Sequence, residues 1–249
     1  MKASKLIAKA NREIYKYDYS KIVMNGGFLS HWVYEKSHRD LERFALKNSC
    51  QNISIIELGA QGNQHRRYVR KNYRIYVTSD INLRLVLTAV TDQKLQQPKP
   101  RISQFGFEPK VTFEKIDASE IPYGDSEFNR LIATCLIVHI SNPVDALEEW
   151  RRVVSDGGEI DFFVPCEPGL ILRLARNLTH KRRTSNWKLS YDLLHYSQHK
   201  NHFPAINEFV KYIFAEDEIK RRFFPFNFLP WEFNLWAIYN VKVSKKITP

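Results

Sequence analysis

"CLIVHISNPVDALEEWRRVVSDGG", Cys135 to Gly158, is the stretch on which the architecture turns. A short polar turn leads into a well-punctuated helix. Asn142 suits the N-cap. Pro143 suits the first helical position, where a missing N–H costs nothing. Leu147, Trp150 and Val154 fall on one face at helical spacing, and Gly157 or Gly158 supplies the stop. "NRLIATCL" precedes the segment and "EIDFFVP" follows it, both apolar runs of strand length. Strand, helix and strand in so short a span imply a crossover between two parallel strands.

The same alternation extends toward the N-terminus. "ISIIEL", "YRIYVTSD" and "VTFEKID" read as three further strands, "NLRLVLTAVTDQKL" as a helix and "QQPKPRISQFGFEP" as a proline-broken loop. Residues 28–47 place Trp32, Val33, Leu41, Phe44 and Ala45 at helical spacing. Toward the C-terminus come the helix "PAINEFVKYIFAEDEIKR" and two final strands, "RFFPFNF" and "NLWAIYNVKV". The expected fold is α/β: a Rossmann-like, doubly wound sheet, mostly parallel, with an antiparallel last strand. Residues 1–48 are expected to form an N-terminal helical lid. Residues 49–249 form the main domain, with 166–220 as a helical cap inserted after the fifth strand.

Apolar residues make up 43% of the 249, enough for a substantial core, and no run approaches the length of a membrane span. The first twenty residues lack an apolar stretch and a small-residue cleavage site, so no signal peptide is expected. Cys50, Cys135 and Cys166 are scattered, with no metal or redox spacing, which points to the cytoplasm. The net charge of +11 is concentrated in two places. Residues 1–48 hold ten Lys/Arg against five Asp/Glu, and residues 170–202 hold seven against Asp192 alone. The remainder is neutral, so two positive segments flank a neutral body and suit an acidic partner.

In "SIIELGAQGNQH", residues 54–65, an apolar strand ends in an acid and a glycine turn. Here the resemblance to a known family is carried by several segments together. Residues 55–63 supply the apolar pair, Glu57 and Gly59 of a motif apolar-apolar-acid-x-Gly-x-Gly-x-Gly, with Gln61 and Asn63 in place of the later glycines. Asp80 closes the second strand. Asp117 and Ala118 open "DASEIPYGDSEFN", and the 135–158 segment follows. Together these resemble the class I S-adenosylmethionine-dependent methyltransferases, in the small-molecule and sugar methyltransferase branch, over roughly residues 50–168.

The resemblance implies S-adenosylmethionine as cofactor. Glu57 would orient its amino-acid end, Gly59, Ala60 and Gln61 would let the methionine portion pass, and Asp80 with Ile81 would take the ribose. Asp117 and Ala118 would meet the adenine, and Thr134 and Cys135 would line the sulfonium side. The chemistry agrees, because an ammonium, two hydroxyls and an amine all seek acceptors. Gln61 is expected in an ordinary backbone region, whereas Asn63 tolerates the left-handed one.

His139, just beyond the fourth strand, is the expected general base, with Asp161 orienting it from the neighbouring strand. Each also has a plain structural reading, as a turn histidine and a core acid. His195, His199 and His202 share one face if 189–202 is helical. With no acid or cysteine close in sequence, they are read as surface or substrate-facing groups and no metal site is assigned. Arg182, Arg183 and His195 are the expected substrate contacts. The acceptor is expected to be a small molecule or glycan, anionic in character, methylated on O or N. Two alternatives remain: an RNA methyltransferase, favoured by charge but lacking any recognised RNA-binding module, and a non-enzymatic binding protein with a degenerate glycine loop.

Overall fold

The computed structural model describes residues 28–45, 53–61, 65–70, 72–82, 109–179 and 191–245, together with Lys5, Ala8 and Leu85. Its elements are α1 (Phe28–Phe44), β1 (Ile53–Leu58), β2 (Tyr73–Asp80), β3 (Lys110–Lys115), β4 (Phe128–Thr134), α2 (Pro143–Val153), β5 (Val154–Pro165), α3 (Leu170–Thr179), α4 (Tyr191–Gln198), α5 (Phe203–Ile213), β6 (Glu218–Phe224) and β7 (Trp236–Lys242). Short 3-10 turns lie at Arg66–Tyr68, Ile137–His139 and Trp231–Phe233. The helix and loop expected across residues 83–108 fall almost wholly outside the described residues.

The seven strands form one sheet in the order β3-β2-β1-β4-β5-β7-β6. β1 to β5 run parallel, and β7 is antiparallel to both neighbours. The strand order reverses between β1 and β4, and in such sheets the ligand crevice opens at the carboxyl ends of the strands there.

Side-chain alternation divides the core into two layers. Ile56, Leu58, Leu131, Ala133, Ile160, Phe162, Val164, Ala237, Tyr239 and Val241 pack with Leu147 and Trp150 of α2 and with Phe203, Ile206 and Val210 of α5. Ile55, Tyr76, Ile132, Trp236 and Ile238 pack on the opposite face with Leu41 of α1.

Three expectations change. Residues 28–44 are a layer of the core and not a lid: Tyr34, His38, Leu41, Glu42 and Ala45 are all buried, one face of a helix laid on the sheet. Of the 166–220 insertion, α5 belongs to the core, because its apolar face closes over α2. Finally, Asn142 makes no side-chain cap; its amide donates to the Asp145 carboxylate instead. The helix ends at Val153, and Gly157 bends the start of β5 at φ +69°. No helix among the described residues is long and apolar enough to cross a membrane.

Candidate functional site

The turn after β1 is built on backbone geometry. Gly59 sits at φ +63°, and a Cβ there would lie 2.7 Å from Leu136 Cδ1, just past β4. Glycine suits this positive φ, and its missing Cβ leaves room for the Leu136 side chain at the switch point. The Ala60 N–H donates to the Ser79 carbonyl at 2.8 Å. Gln61, contrary to expectation, is left-handed, with φ +48°. Its N–H donates to Asp80 Oδ2 at 3.1 Å. The family motif has its second glycine at this position, so the backbone keeps the glycine conformation at a cost of about 1–2 kcal/mol for a residue with a Cβ. Gly62 and Asn63 lie outside the described residues.

The three strand-end acids differ in surroundings. Glu57 is fully buried; its carboxylate accepts the Tyr76 hydroxyl at 2.6 Å and the His65 N–H at 3.3 Å. Burial raises its pKa. It thus ties the far end of the glycine loop to β2. Asp80, 7% exposed, accepts the Asn82 N–H at 2.8 Å and the Gln61 N–H, and burial raises its pKa too. Beside it Ile81 is 60% exposed. Asp117 is exposed and accepts the Ser119 N–H at 2.9 Å. Ala118 is buried, with its carbonyl taking the Trp150 indole N–H at 3.1 Å.

Thr134 closes β4. Cys135 turns left-handed at φ +55°, and burial pushes its thiol up to about 12, far from a nucleophilic thiolate. The edge from β1 to β3 therefore offers two carboxylates and an exposed aliphatic side chain. That set fits a ligand bearing hydroxyls, an amine and a flat ring.

A family described as "Methyltransferase domain" matches residues 56–162, from β1 through most of β5. The described core has the fold of the class I S-adenosylmethionine-dependent methyltransferases, and its central stretch matches the family's model. Similar proteins span several chemistries. The methyltransferase GfsG of Streptomyces halstedii is 30% identical over 71 residues, 28% of this chain and 26% of that protein. The ubiquinone/menaquinone biosynthesis C-methyltransferase UbiE of Pseudomonas fluorescens is 23% identical over 64% of this chain and 57% of its own length. The structure of Haemonchus contortus phosphoethanolamine N-methyltransferase 2 in complex with S-adenosyl-L-methionine shares the fold. Its TM-score is 0.57 and its identity 13%, over 84% of this chain and 53% of that one. The chain spans between about a quarter and three fifths of the length of the curated relatives it matches.

The segments after β4 and β5 are histidine-rich. His139 ends the turn after β4, with Nδ1 3.2 Å from the Gln198 carbonyl. A carbonyl only accepts, so this contact requires the proton on Nδ1 and leaves the lone pair on Nε2. Burial and the nearby His199 lower its pKa to about 4. The His139 and His199 rings meet edge to face at 4.7 Å. The segment after α4 is clipped onto this turn, because Lys200 and Asn201 both donate backbone N–H groups to the Val138 carbonyl, at 2.8 and 3.1 Å.

Glu167, two residues past β5, is fully buried. It accepts His195 Nε2 at 3.0 Å, His199 Nδ1 at 2.8 Å and the Arg176 guanidinium. Burial works to raise its pKa but is outweighed by the two histidines and Arg176, which hold it well below the carboxylate range. Glu167 and Arg176 were not among the expected site residues. The signal was the one that found Asp80 and Asp117: an acid immediately after a strand. His202 does not join the group, because α4 stops at Gln198 and His202 precedes α5 as its cap residue. Arg182 and Arg183 lie outside the described residues.

Asp161 does not orient His139. In-register pairing puts Glu57, Ile132, Asp161 and Asn240 in one row across the sheet, and Ile132 packs on the α1 side. Asp161 is therefore turned into that layer. It is fully buried and bonded at 2.6 Å both to Arg130 Nε and to the Asn240 amide. Arg130 also pairs with Glu42 at 2.6 Å, and His65 Nε2 lies 3.1 Å from Glu42. Arg130 and His65 together outweigh burial and bring the Glu42 carboxyl down to about 2. His38 Nδ1 is 2.8 Å from His65 Nδ1. If His65 donates from Nε2 to Glu42, His38 must donate to His65, a consistent chain from α1 through His65 back to Glu42 of the same helix.

Proposed function

We propose that the chain transfers a methyl group from S-adenosylmethionine to an oxygen or nitrogen of a small or glycan-like anionic acceptor. The observation that carries the acceptor side is the His139 tautomer. Its Nδ1–H is committed to the Gln198 carbonyl, so Nε2 keeps a lone pair to take a proton from the acceptor. The cofactor supplies a methyl group already activated on sulfur. Asp80 holds the ribose hydroxyls, Asp117 accepts from the adenine amine, and Ile81 covers the ring. The Gly59–Ala60 backbone lets the methionine portion pass. Glu57 acts one step back, by holding the loop.

The basic 170–202 segment, with Arg173 and Arg176 on α3, favours an acceptor bearing phosphate, carboxylate or sulfate. Radiolabelled methyl transfer to a panel of phosphorylated, sulfated and carboxylated sugars, with a polynucleotide beside them, tests this reading. Transfer to an anionic sugar that falls about 100-fold or more in His139→Ala supports it. Transfer to the polynucleotide alone, or an unchanged rate in His139→Ala, overturns the acceptor class or the base respectively.

A further inference from the structure

We propose that Glu167, His195 and His199 bind one divalent transition-metal ion beside the acceptor position. One ring nitrogen each of His195 and His199 and a Glu167 carboxylate oxygen all lie within 4.8 Å of one another. The separations from each imidazole to the carboxylate, 3.0 and 2.8 Å, are close to the roughly 3.0 Å between ligand atoms at right angles around one ion with bonds of about 2.1 Å, so a small outward shift and loss of the two N–H protons would admit a metal. Two imidazoles and one carboxylate form a set that leaves open positions on zinc or ferrous iron for water or substrate. Two nitrogen donors argue against magnesium and calcium, which take oxygen.

The surroundings suit such a site. The Glu167 side chain is wholly buried, whereas those of His195 and His199 keep 11% and 9% of their exposure, so the approach is from the imidazole side. Arg176 grips the same carboxylate from α3, an outer-sphere partner that fixes its orientation. The backbone clip at Val138 fixes the segment that carries His199. Arg176 also makes the site more positive once a dication enters, so the open positions are best filled by an anion or a polarised hydroxyl. This part rests on the function proposed above. An acceptor oxygen bound there would be acidified next to His139, whose ring touches His199.

The test uses the full chain, stripped with a chelator. Cobalt(II) is titrated in by visible absorption and calorimetry, zinc is used as competitor, and S-adenosylmethionine binding is measured separately. One cobalt per chain is expected, displaced by zinc, with affinity weakened at least about tenfold in both His195→Ala and His199→Ala. Glu167→Gln belongs in the set only if its circular dichroism and melting match the parent. No saturable cobalt binding by the folded parent chain would overturn the proposal, as would binding unaffected by either histidine change. Absent cobalt binding with intact S-adenosylmethionine binding condemns the metal site alone. Absent S-adenosylmethionine binding condemns the methyl-transfer reading and leaves the metal result standing.

Discussion

Asp161→Asn separates a structural acid from a catalytic one. The substitution keeps size and shape, and removes the charge that faces Arg130 at 2.6 Å. Arg130 is 1% exposed, so its guanidinium cannot turn to water. Breaking a buried ion pair from one side costs about 3–5 kcal/mol, because the remaining charge stays buried. Glu42 still pairs with Arg130 Nη1, which places the expected loss near the lower end, about 3 kcal/mol. At roughly 2–4 °C per kcal/mol for a domain of this size, the melting temperature should fall by roughly 6–12 °C. Thermal and urea unfolding measure the loss directly. Methyl transfer per folded molecule, assayed well below the transition, should stay within about twofold of the parent, because no role at the reacting atoms is lost. A stability change under about 1 kcal/mol would refute the buried-pair argument. A collapsed rate with unchanged melting would restore Asp161 to the catalytic machinery.

Asp80→Asn should weaken S-adenosylmethionine binding by about 2–4 kcal/mol, since the ribose hydroxyls lose a charged acceptor and the Gln61 amide loses its anchor; calorimetry decides it. Gln61→Gly should raise stability by about 0.5–1 kcal/mol, the left-handed strain relieved less the added chain entropy, and a urea titration showing a loss would mean the loop is not strained. Glu42 sets an acid limit. Its pKa is lowered from 4.5 to about 2, so its contribution is complete above about pH 4.5 and is lost as pH falls through about 2. The pH dependence of melting across that window should flatten in Glu42→Gln, and an unchanged profile would assign acid unfolding to other carboxylates.

The sequence alone determined the elements whose signals are local. A helix opened by Pro143 with an apolar face at Leu147 and Trp150, strands read at six to ten residues, and acids placed at strand ends all depend on neighbours a few residues away. Gly59, Asp80 and Asp117 were legible for that reason. Only the tertiary structure decided where the polar residues of the core point. β5 is buried on both faces, so apolar contrast does not mark which side Asp161 takes, and the register with β4 and β7 fixes it against Arg130 and Asn240. α1 looks like a surface helix in sequence because His38 and Glu42 interrupt its apolar stripe. They can be buried only because His65 and Arg130, from other segments, complete their hydrogen bonds. Glu167 stands 28 and 32 residues from His195 and His199, too far for any spacing rule. The Phe203 N–H donating to the Glu167 carbonyl at 3.0 Å, with the clip from Lys200 and Asn201 onto the turn after β4, holds them together, and those contacts exist only in the folded chain.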